Sequence, residues 1–157
     1  MQRQLTILLV EDDEKDISSF KQCLEECPYP VCLRVVTNGS EAMMYLDGAG
    51  RYRNRDHFPL PNLVLLDLSL PGISGFEVLS WIREQPRLAL TPVIVHTTSD
   101  AIREVNPAYM LGANSFLMKP IKADQLNYVL EAFWLRKLPP PVRTPRTHPK
   151  VGRYILS

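Results

Sequence analysis

Five short, mostly apolar segments recur along the chain, and their length and order constrain the fold more than any other feature. Each has five or six residues, which is typical of β-strands rather than of helices. Where the apolar residues do not alternate with polar ones, as around Leu63, the strand is expected to be buried on both faces of a sheet. The predicted strands are Leu5–Val10, Val31–Val36, Asn62–Leu66, Pro92–His96 and Asn114–Met118.

Amphipathic stretches separate the predicted strands. In Asp13–Cys27, for example, Ile17, Phe20 and Leu24 repeat at the spacing of one helix face. Strands that alternate with helices favour a parallel sheet whose helices cover both faces. The predicted helices are Asp13–Cys27, Ser40–Leu46, a helix around Phe76, Leu79 and Ile82 that ends near Glu84, a helix through Ile102, Val105 and Tyr109 that Ser99 and Asp100 cap, and Ala123–Lys137; Asp47–Pro61 is predicted to be a long polar and aromatic loop.

The length and charge of the chain fit one domain with a basic extension. Its 157 residues are 45% hydrophobic and 22% charged, which suits a single domain with a substantial core. Residues 132–157 contain six Lys or Arg and no acidic residue, so residues 1–131 carry twelve basic and seventeen acidic side chains. We therefore expect a domain at residues 1–138 and a proline-rich, basic extension at residues 139–157.

The lack of a recognisable targeting signal and the pattern of cysteines both predict a cytoplasmic protein. No apolar run approaches the ~20 residues that a membrane span needs, and no secretory signal precedes the first predicted strand. Three cysteines, Cys23, Cys27 and Cys32, favour reduced and partly buried thiols, although Cys23 and Cys27 are spaced to share a helix face and leave a metal site open.

Charged and hydroxyl side chains stand at the ends of four predicted strands. Glu11 and Asp12 follow the first strand, Asp67 the third, Thr97 the fourth and Lys119 the fifth. In open parallel sheets, sites lie beyond the carboxyl ends of the strands, so we expect these groups to meet at one edge. Taken singly, Asp67 fits a turn residue and Lys119 a solvated surface charge. Together they predict a Mg²⁺ site, because grouped carboxylates repel one another unless a cation joins them.

Four segments together resemble the receiver domains of two-component response regulators. The segments are Ile7–Asp13, Leu63–Gly72, Pro92–Thr98 and Gly112–Pro120. The resemblance extends from about Leu5 to Lys137, with every expected element present. It implies an α/β, flavodoxin-like, doubly wound (βα)5 fold with a parallel sheet of strand order 2-1-3-4-5.

The resemblance also assigns the phosphorylation chemistry. Asp67 is implied to be the phosphoacceptor, which takes its phosphoryl group from a phosphohistidine of a sensor histidine kinase. Glu11 and Asp12, with Asp67 and the backbone carbonyl of Ser69, are implied to hold Mg²⁺. The protein is then not a conventional enzyme, although it phosphorylates itself from small phosphodonors and dephosphorylates itself.

Three further residues are implied to act on the phosphorylated state. Thr97 would hydrogen-bond one phosphoryl oxygen, and Lys119 would pair with another. Thr97 and Phe116 are implied to be the switch residues, although Phe116 as an ordinary core residue is an alternative. The family also favours a cis bond between Lys119 and Pro120.

Other classes fit the sequence less well. Haloacid-dehalogenase-like phosphatases also form an aspartyl phosphate on a parallel sheet, but they need a second Asp where this chain has Ser69. A nucleotide-binding domain needs a glycine-rich loop after the first strand, where this chain has acidic residues. A receiver that binds partners without being phosphorylated, a pseudo-receiver scaffold, is a third alternative.

The expected output is contact with other proteins. Only about twenty residues follow the last predicted helix, too few for a DNA-binding or enzymatic domain, so we expect a stand-alone response regulator without direct nucleic-acid or membrane contact. The long loop and the Phe133-Trp134-Leu135 segment before the prolines resemble the single-domain regulators that serve bacterial phytochromes. A chemotaxis-type motor regulator is the alternative.

The last helix and the extension also predict a homodimer. Leu126, Val129, Leu130 and Phe133 supply one core-facing stripe, and Trp134 and Leu135 lie beside it. The extension ends in the apolar Tyr154-Ile155-Leu156. Exposed apolar groups at the end of an acidic domain mark a contact surface, so the last helix and C-terminal arm are expected to form the dimer. A monomer is the alternative.

Overall fold

One parallel sheet organises the computed structural model, which describes residues 4–98 and 103–135, the last three by their backbone alone. The spatial order of its strands is β2-β1-β3-β4-β5, which confirms the predicted order. All neighbouring strands run parallel. The strands are β1 (Leu5–Val10), β2 (Val31–Val36), β3 (Leu63–Asp67), β4 (Val93–Thr97) and β5 (Ser115–Met118).

Four helices connect the strands, and a fifth follows β5. Their N-termini are set by short polar side chains: the carboxylate of Asp13 accepts hydrogen bonds from the first turn of one helix, and Ser74 forms a capping box with Glu77 on another. The helices are α1 (Glu14–Glu25), α2 (Gly39–Asp47), α3 (Gly75–Glu84), α4 (Val105–Met110) and α5 (Ala123–Leu135), and a 3₁₀ turn spans Gly50–Tyr52.

Several predictions lie outside the described residues. They concern the cap at Ser99 and Asp100, the apolar residue Ile102, the side chains of Phe133, Trp134 and Leu135, and the extension at 139–157. Within the described part, α4 begins at Val105, and Glu104 before it makes no side-chain capping hydrogen bond.

Two apolar layers cover the two faces of the sheet, as expected for a doubly wound fold. On one face, α2, α3 and α4 pack through Leu46, Leu79 and Val105 against Leu8 and Leu66. On the other face, α1 and α5 contribute Ile17, Phe20, Leu126, Val129 and Leu130. The three central strands, β1, β3 and β4, are almost wholly buried, which explains why their sequences are apolar on both faces, whereas the edge strand β2 is mostly half-buried.

The loop between α2 and β3 is more structured than its polar composition suggested. Tyr45 and Tyr52 are buried, and with Phe58 they form an aromatic cluster whose ring centroids are 5.0 to 6.1 Å apart. The Arg55 guanidinium donates to the carbonyls of Tyr45 and Leu46 at 2.8 and 2.9 Å, where α2 ends. The loop therefore belongs to the core of the domain.

Two other expectations concern thiols and membranes. Cys23, Cys27 and Cys32 are partly buried, as predicted, and their thiols are free. Among the described residues, no helix combines the length and the hydropathy that a bilayer crossing requires.

Arg83 joins α3 to the amino ends of β4 and β5. Its guanidinium donates to the carbonyls of Gly112 at 2.7 Å, Thr91 at 2.7 Å and Ala89 at 3.2 Å, and to Oδ1 of Asn114 at 2.9 Å. Burial lowers the pKa of Arg83 to about 10, so the side chain remains charged at neutral pH. The single side chain of Arg83 therefore donates hydrogen bonds to all four of these acceptors.

Replacement of Arg83 is expected to destabilise the fold. Arg83→Met keeps the length of the side chain but removes charge-assisted hydrogen bonds, so it should lower the free energy of unfolding by about 3 kcal/mol. The matched control is Arg87→Met, because Arg87 is exposed and its ion pair with the exposed Asp47 is long, at 3.8 Å. This variant should change the free energy of unfolding by less than about 0.5 kcal/mol. Urea unfolding measures both, and equal midpoints would contradict the role of Arg83.

Candidate functional site

Three carboxylates meet at the carboxyl edge of the sheet. Glu11 and Asp12 follow β1, and Asp67 is the last residue of β3. One oxygen atom from each lies within 4.8 Å of the others. Glu11 and Asp67 are buried, whereas Asp12 is exposed. The structure therefore brings together the acidic residues that the sequence predicted to share a site.

The burial of Glu11 suits a cation at this position. Its Oε1 accepts a hydrogen bond from Lys119 at 2.7 Å, but its Oε2 is buried with no hydrogen-bond partner among the described residues. Burial, reinforced by the neighbouring Asp67, raises the pKa of Glu11 above its ordinary value. A buried carboxylate oxygen without a donor is costly, and oxygen ligands grouped in this way match the preference of Mg²⁺. The acidic cluster therefore fits a divalent metal ion.

Lys119 is buried among acidic groups and is not the solvated surface charge that it resembled when taken singly. Its side chain is 8% exposed, and Nζ lies 2.7 Å from Glu11, 2.9 Å from Asp16 and 3.2 Å from Asp67. Burial acts to lower the pKa of Lys119, but the hydrogen bonds to Glu11 and Asp16 and the charge of Asp67 raise it above its ordinary value. The ammonium group is therefore held in its charged form.

Asp16 is a part of this cluster that the sequence analysis missed. Burial acts to raise its pKa, but the hydrogen bond from Lys119 and the positive charge of that group hold the pKa below its ordinary value. It lies in the first turn of α1, whose N-terminus is placed at the sheet edge by the Asp13 cap. That position was the available signal, since first-turn side chains of a helix that follows a strand point back to the strand ends.

The position of Asp67 depends on the approach of α3. The backbone N–H of Ser69 donates to Asp67 Oδ1 at 2.9 Å. A Cβ atom at Gly75 would lie 2.3 Å from the carbonyl oxygen of Asp67 and 2.6 Å from Cα of Leu68, so only glycine allows the helix to begin this close to the strand. This requirement was not visible in the sequence.

Thr97 and Phe116 lie on the α3–α4 side of the sheet edge. Thr97 is buried at the end of β4, and its hydroxyl donates to the carbonyl of Thr98 at 3.4 Å. Its own carbonyl accepts from the N–H of Lys119 at 2.6 Å, and the Lys119–Pro120 bond is cis as expected. Phe116 is buried in the core with α2, α3 and α4.

His96 is a buried imidazole that the sequence analysis did not single out. It lies beside Asp67 in the sheet register and is 1% exposed. Neither ring nitrogen has a hydrogen-bond partner among the described residues. Burial lowers the pKa of His96 to about 4, so the ring is neutral at physiological pH.

Comparison with known proteins agrees with this geometry. Residues 7–131 match the family described as the response regulator receiver domain. Response regulator Rcp1 of Synechocystis is 38% identical over 132 residues, which cover 82% of this chain and 88% of Rcp1.

Solved structures of similar proteins share the fold. The phosphorylated cyanobacterial phytochrome response regulator RcpA has a TM-score of 0.73 at 35% identity, over 89% of this chain and 100% of that one. The Mn²⁺-bound form of Rcp1 has a TM-score of 0.70 at 35% identity, over 88% and 99%.

The fold, the carboxylate cluster and the similarity over most of the chain agree with one another. The five-stranded sheet of order 2-1-3-4-5 is the flavodoxin-like receiver fold, so the phosphatase and nucleotide-binding alternatives are set aside. The chain belongs to the response regulator receiver domain family.

Proposed function

We propose that this protein accepts a phosphoryl group from a sensor histidine kinase onto Asp67 and signals by contact with other proteins. The observation that carries the proposal is the position of the Lys119 ammonium group, which lies 2.7 Å from Glu11 and 3.2 Å from Asp67. These two carboxylates also belong to the cluster that fits a metal ion. A phosphoryl group on Asp67 would therefore meet cationic and hydrogen-bonding groups that are already in place.

Glu11, Asp12 and Asp67, with the backbone carbonyl of Ser69, are the proposed ligands of Mg²⁺. The orphaned Oε2 of Glu11 supports this assignment, because coordination would satisfy that buried atom. When bound, Mg²⁺ supplies positive charge that stabilises the oxygens of the transferring phosphoryl group.

Asp67 is the proposed nucleophile. A carboxylate oxygen of Asp67 attacks the phosphorus atom of the phosphohistidine, a P–O bond forms, and the P–N bond breaks with the electron pair leaving on the imidazole. Lys119 donates to one phosphoryl oxygen and Thr97 to another. The hydroxyl of Thr97 is available for this purpose, because its only described bond is a long one of 3.4 Å to its neighbour's carbonyl.

The same residues are proposed to act as the switch. The acyl phosphate carries roughly one more negative charge than the carboxylate, which draws the Thr97 hydroxyl towards it. Phe116 packs in the core on the same side of the sheet, so a displacement of Thr97 changes the space available to that ring.

We place the protein in a phytochrome-type pathway in the cytoplasm. Its similarity to Rcp1 and to the phytochrome response regulator RcpA supports this assignment. The partner that donates the phosphoryl group from its phosphohistidine is then a phytochrome-type histidine kinase. We also propose a homodimer through α5 and the C-terminal arm, which is supported by the exposure of Tyr128 on α5.

Phosphorylation is expected at Asp67. Incubation of the chain with Mg²⁺ and acetyl phosphate should add one phosphoryl group, as measured by intact mass spectrometry. Asp67→Asn should abolish it, because an amide is not a nucleophile of this kind. Asp56→Asn, which changes an exposed carboxylate in the α2–β3 loop, is the matched control. Wild-type labelling in Asp67→Asn would contradict the assignment, and an unlabelled wild type would favour the pseudo-receiver scaffold.

Metal binding is expected to depend on the carboxylates at the end of β1. The double variant Glu11→Gln, Asp12→Asn should lower the Mg²⁺ affinity by at least about tenfold, since ligand charge sets affinity in oxygen sites. Its control is Glu25→Gln with Glu26→Gln, which removes the same charge at the exposed end of α1. Isothermal titration calorimetry decides: equal affinities in the two variants would place the metal elsewhere.

The dimer is expected to depend on the C-terminal arm. Multi-angle light scattering at micromolar concentration should give a dimer for the full chain, and truncation after Leu138 should shift it towards monomer because the arm's apolar end is lost. Replacement of Tyr154, Ile155 and Leu156 by serine tests that end without shortening the chain. A monomeric full chain would refute the dimer, and an equally stable truncated dimer would exclude the arm.

A further inference from the structure

Lys119 has three acceptors, and one of them lies outside the carboxylates that can hold a metal. An ammonium group has three donors, and Nζ contacts Glu11 Oε1 at 2.7 Å, Asp16 Oδ2 at 2.9 Å and Asp67 Oδ2 at 3.2 Å. Glu11 and Asp67 belong to the metal-binding cluster, whereas Asp16 does not. Asp16 is therefore the acceptor of Lys119 that remains available when the other two carboxylates bind the metal ion and the phosphoryl group.

The local structure fixes Asp16 where this contact requires it. Its backbone N–H donates to the carboxylate of Asp13 at 3.3 Å, in the cap that starts α1. The next residue of the helix, Ile17, is buried against the sheet, so this turn cannot rotate without disrupting the core. The carboxylate of Asp16 is thus held at the sheet edge by both the cap and the packing of α1.

A lysine needs such an anchor more than an arginine would. Its ammonium group is a point charge on a flexible four-carbon stem, and only a correctly placed donor stabilises charge in a transition state. During transfer, Glu11 and Asp67 are engaged with the metal and the phosphoryl group. A fixed acceptor on α1 keeps Nζ near Asp67 throughout.

We infer that Asp16 is a positioning residue, which holds Lys119 Nζ in place for phosphoryl transfer to Asp67. The inference rests on the proposed function of Asp67. Asp16 touches neither the phosphoryl group nor the metal in this assignment, and it acts through Lys119 alone.

The test is a double-mutant cycle on the full chain. The probes are acetyl phosphate and saturating MgCl₂, and the readout is the rate constant of phosphorylation by intact mass. Asp16→Ala should slow phosphorylation about tenfold, since a displaced donor loses most of its effect. Asp16→Asn, which keeps an oxygen acceptor without its charge, should be slowed less. In a Lys119→Ala background, Asp16→Ala should change the rate by less than about twofold, because the group through which it acts is absent.

Two controls separate positioning from general damage. Glu14→Ala removes an exposed carboxylate from the same helix turn and should leave the rate unchanged. The Mg²⁺ affinity of Asp16→Ala and Asp16→Asn should match the wild type, which a disrupted site would not allow.

The outcomes distinguish this inference from the proposed function. An equal slowing in the wild-type and Lys119→Ala backgrounds, an unchanged or faster rate in Asp16→Ala, or a parallel loss of Mg²⁺ affinity would each overturn the role of Asp16 while leaving Asp67 as phosphoacceptor. A wild type that acquires no phosphoryl group would overturn both.

Discussion

The buried ammonium group of Lys119 is the interaction on which the candidate site depends. Removing a charge from water costs several kcal/mol even after relaxation, and here the cost is offset by three carboxylates within 3.2 Å. The dependence is mutual, because Glu11 is completely buried and would otherwise have no cation beside it. Loss of the ammonium group would leave the carboxylates of Glu11, Asp16 and Asp67 close together without the cation that joins them.

The strand order explains why the central cation is a lysine that directly follows β5. Two strand spacings separate β5 from β3, a distance of about 10 Å, and β4 lies between them. A short side chain after β5 would not reach Asp67, whereas a lysine that crosses the end of β4 does. The sheet topology therefore determines how long the side chain after β5 must be.

The sequence predicted the sheet and the strand-end residues because both depend on local patterns, whereas the strand order was implied by the family resemblance. Short apolar runs mark buried strands, and parallel strands bring their carboxyl ends to one edge. It did not predict Asp16, Gly75 or Arg83. The contact of Asp16 with a residue 103 positions away depends on how α1 lies on the sheet, and the need for Gly75 arises from a backbone approach. The hydrogen bonds of Arg83 join three segments that are distant in the sequence, and such contacts leave no periodic pattern in the residues around Arg83.

The alternation of side chains along β4 and β5 decides where a change at the site is transmitted. Val95 and Phe116 are register partners and both face the α2–α4 layer, whereas Ile94 and Leu117 face the α1–α5 layer. Thr97 lies two residues beyond Val95 and so shares its face. In the proposed switch, a movement of Thr97 towards a phosphoryl group would alter packing under α4 and leave the α1–α5 layer intact. The α1–α5 layer packs α1, and with it Asp16, against the sheet, so in this proposal one face of the sheet keeps the site in place while the other face changes with phosphorylation.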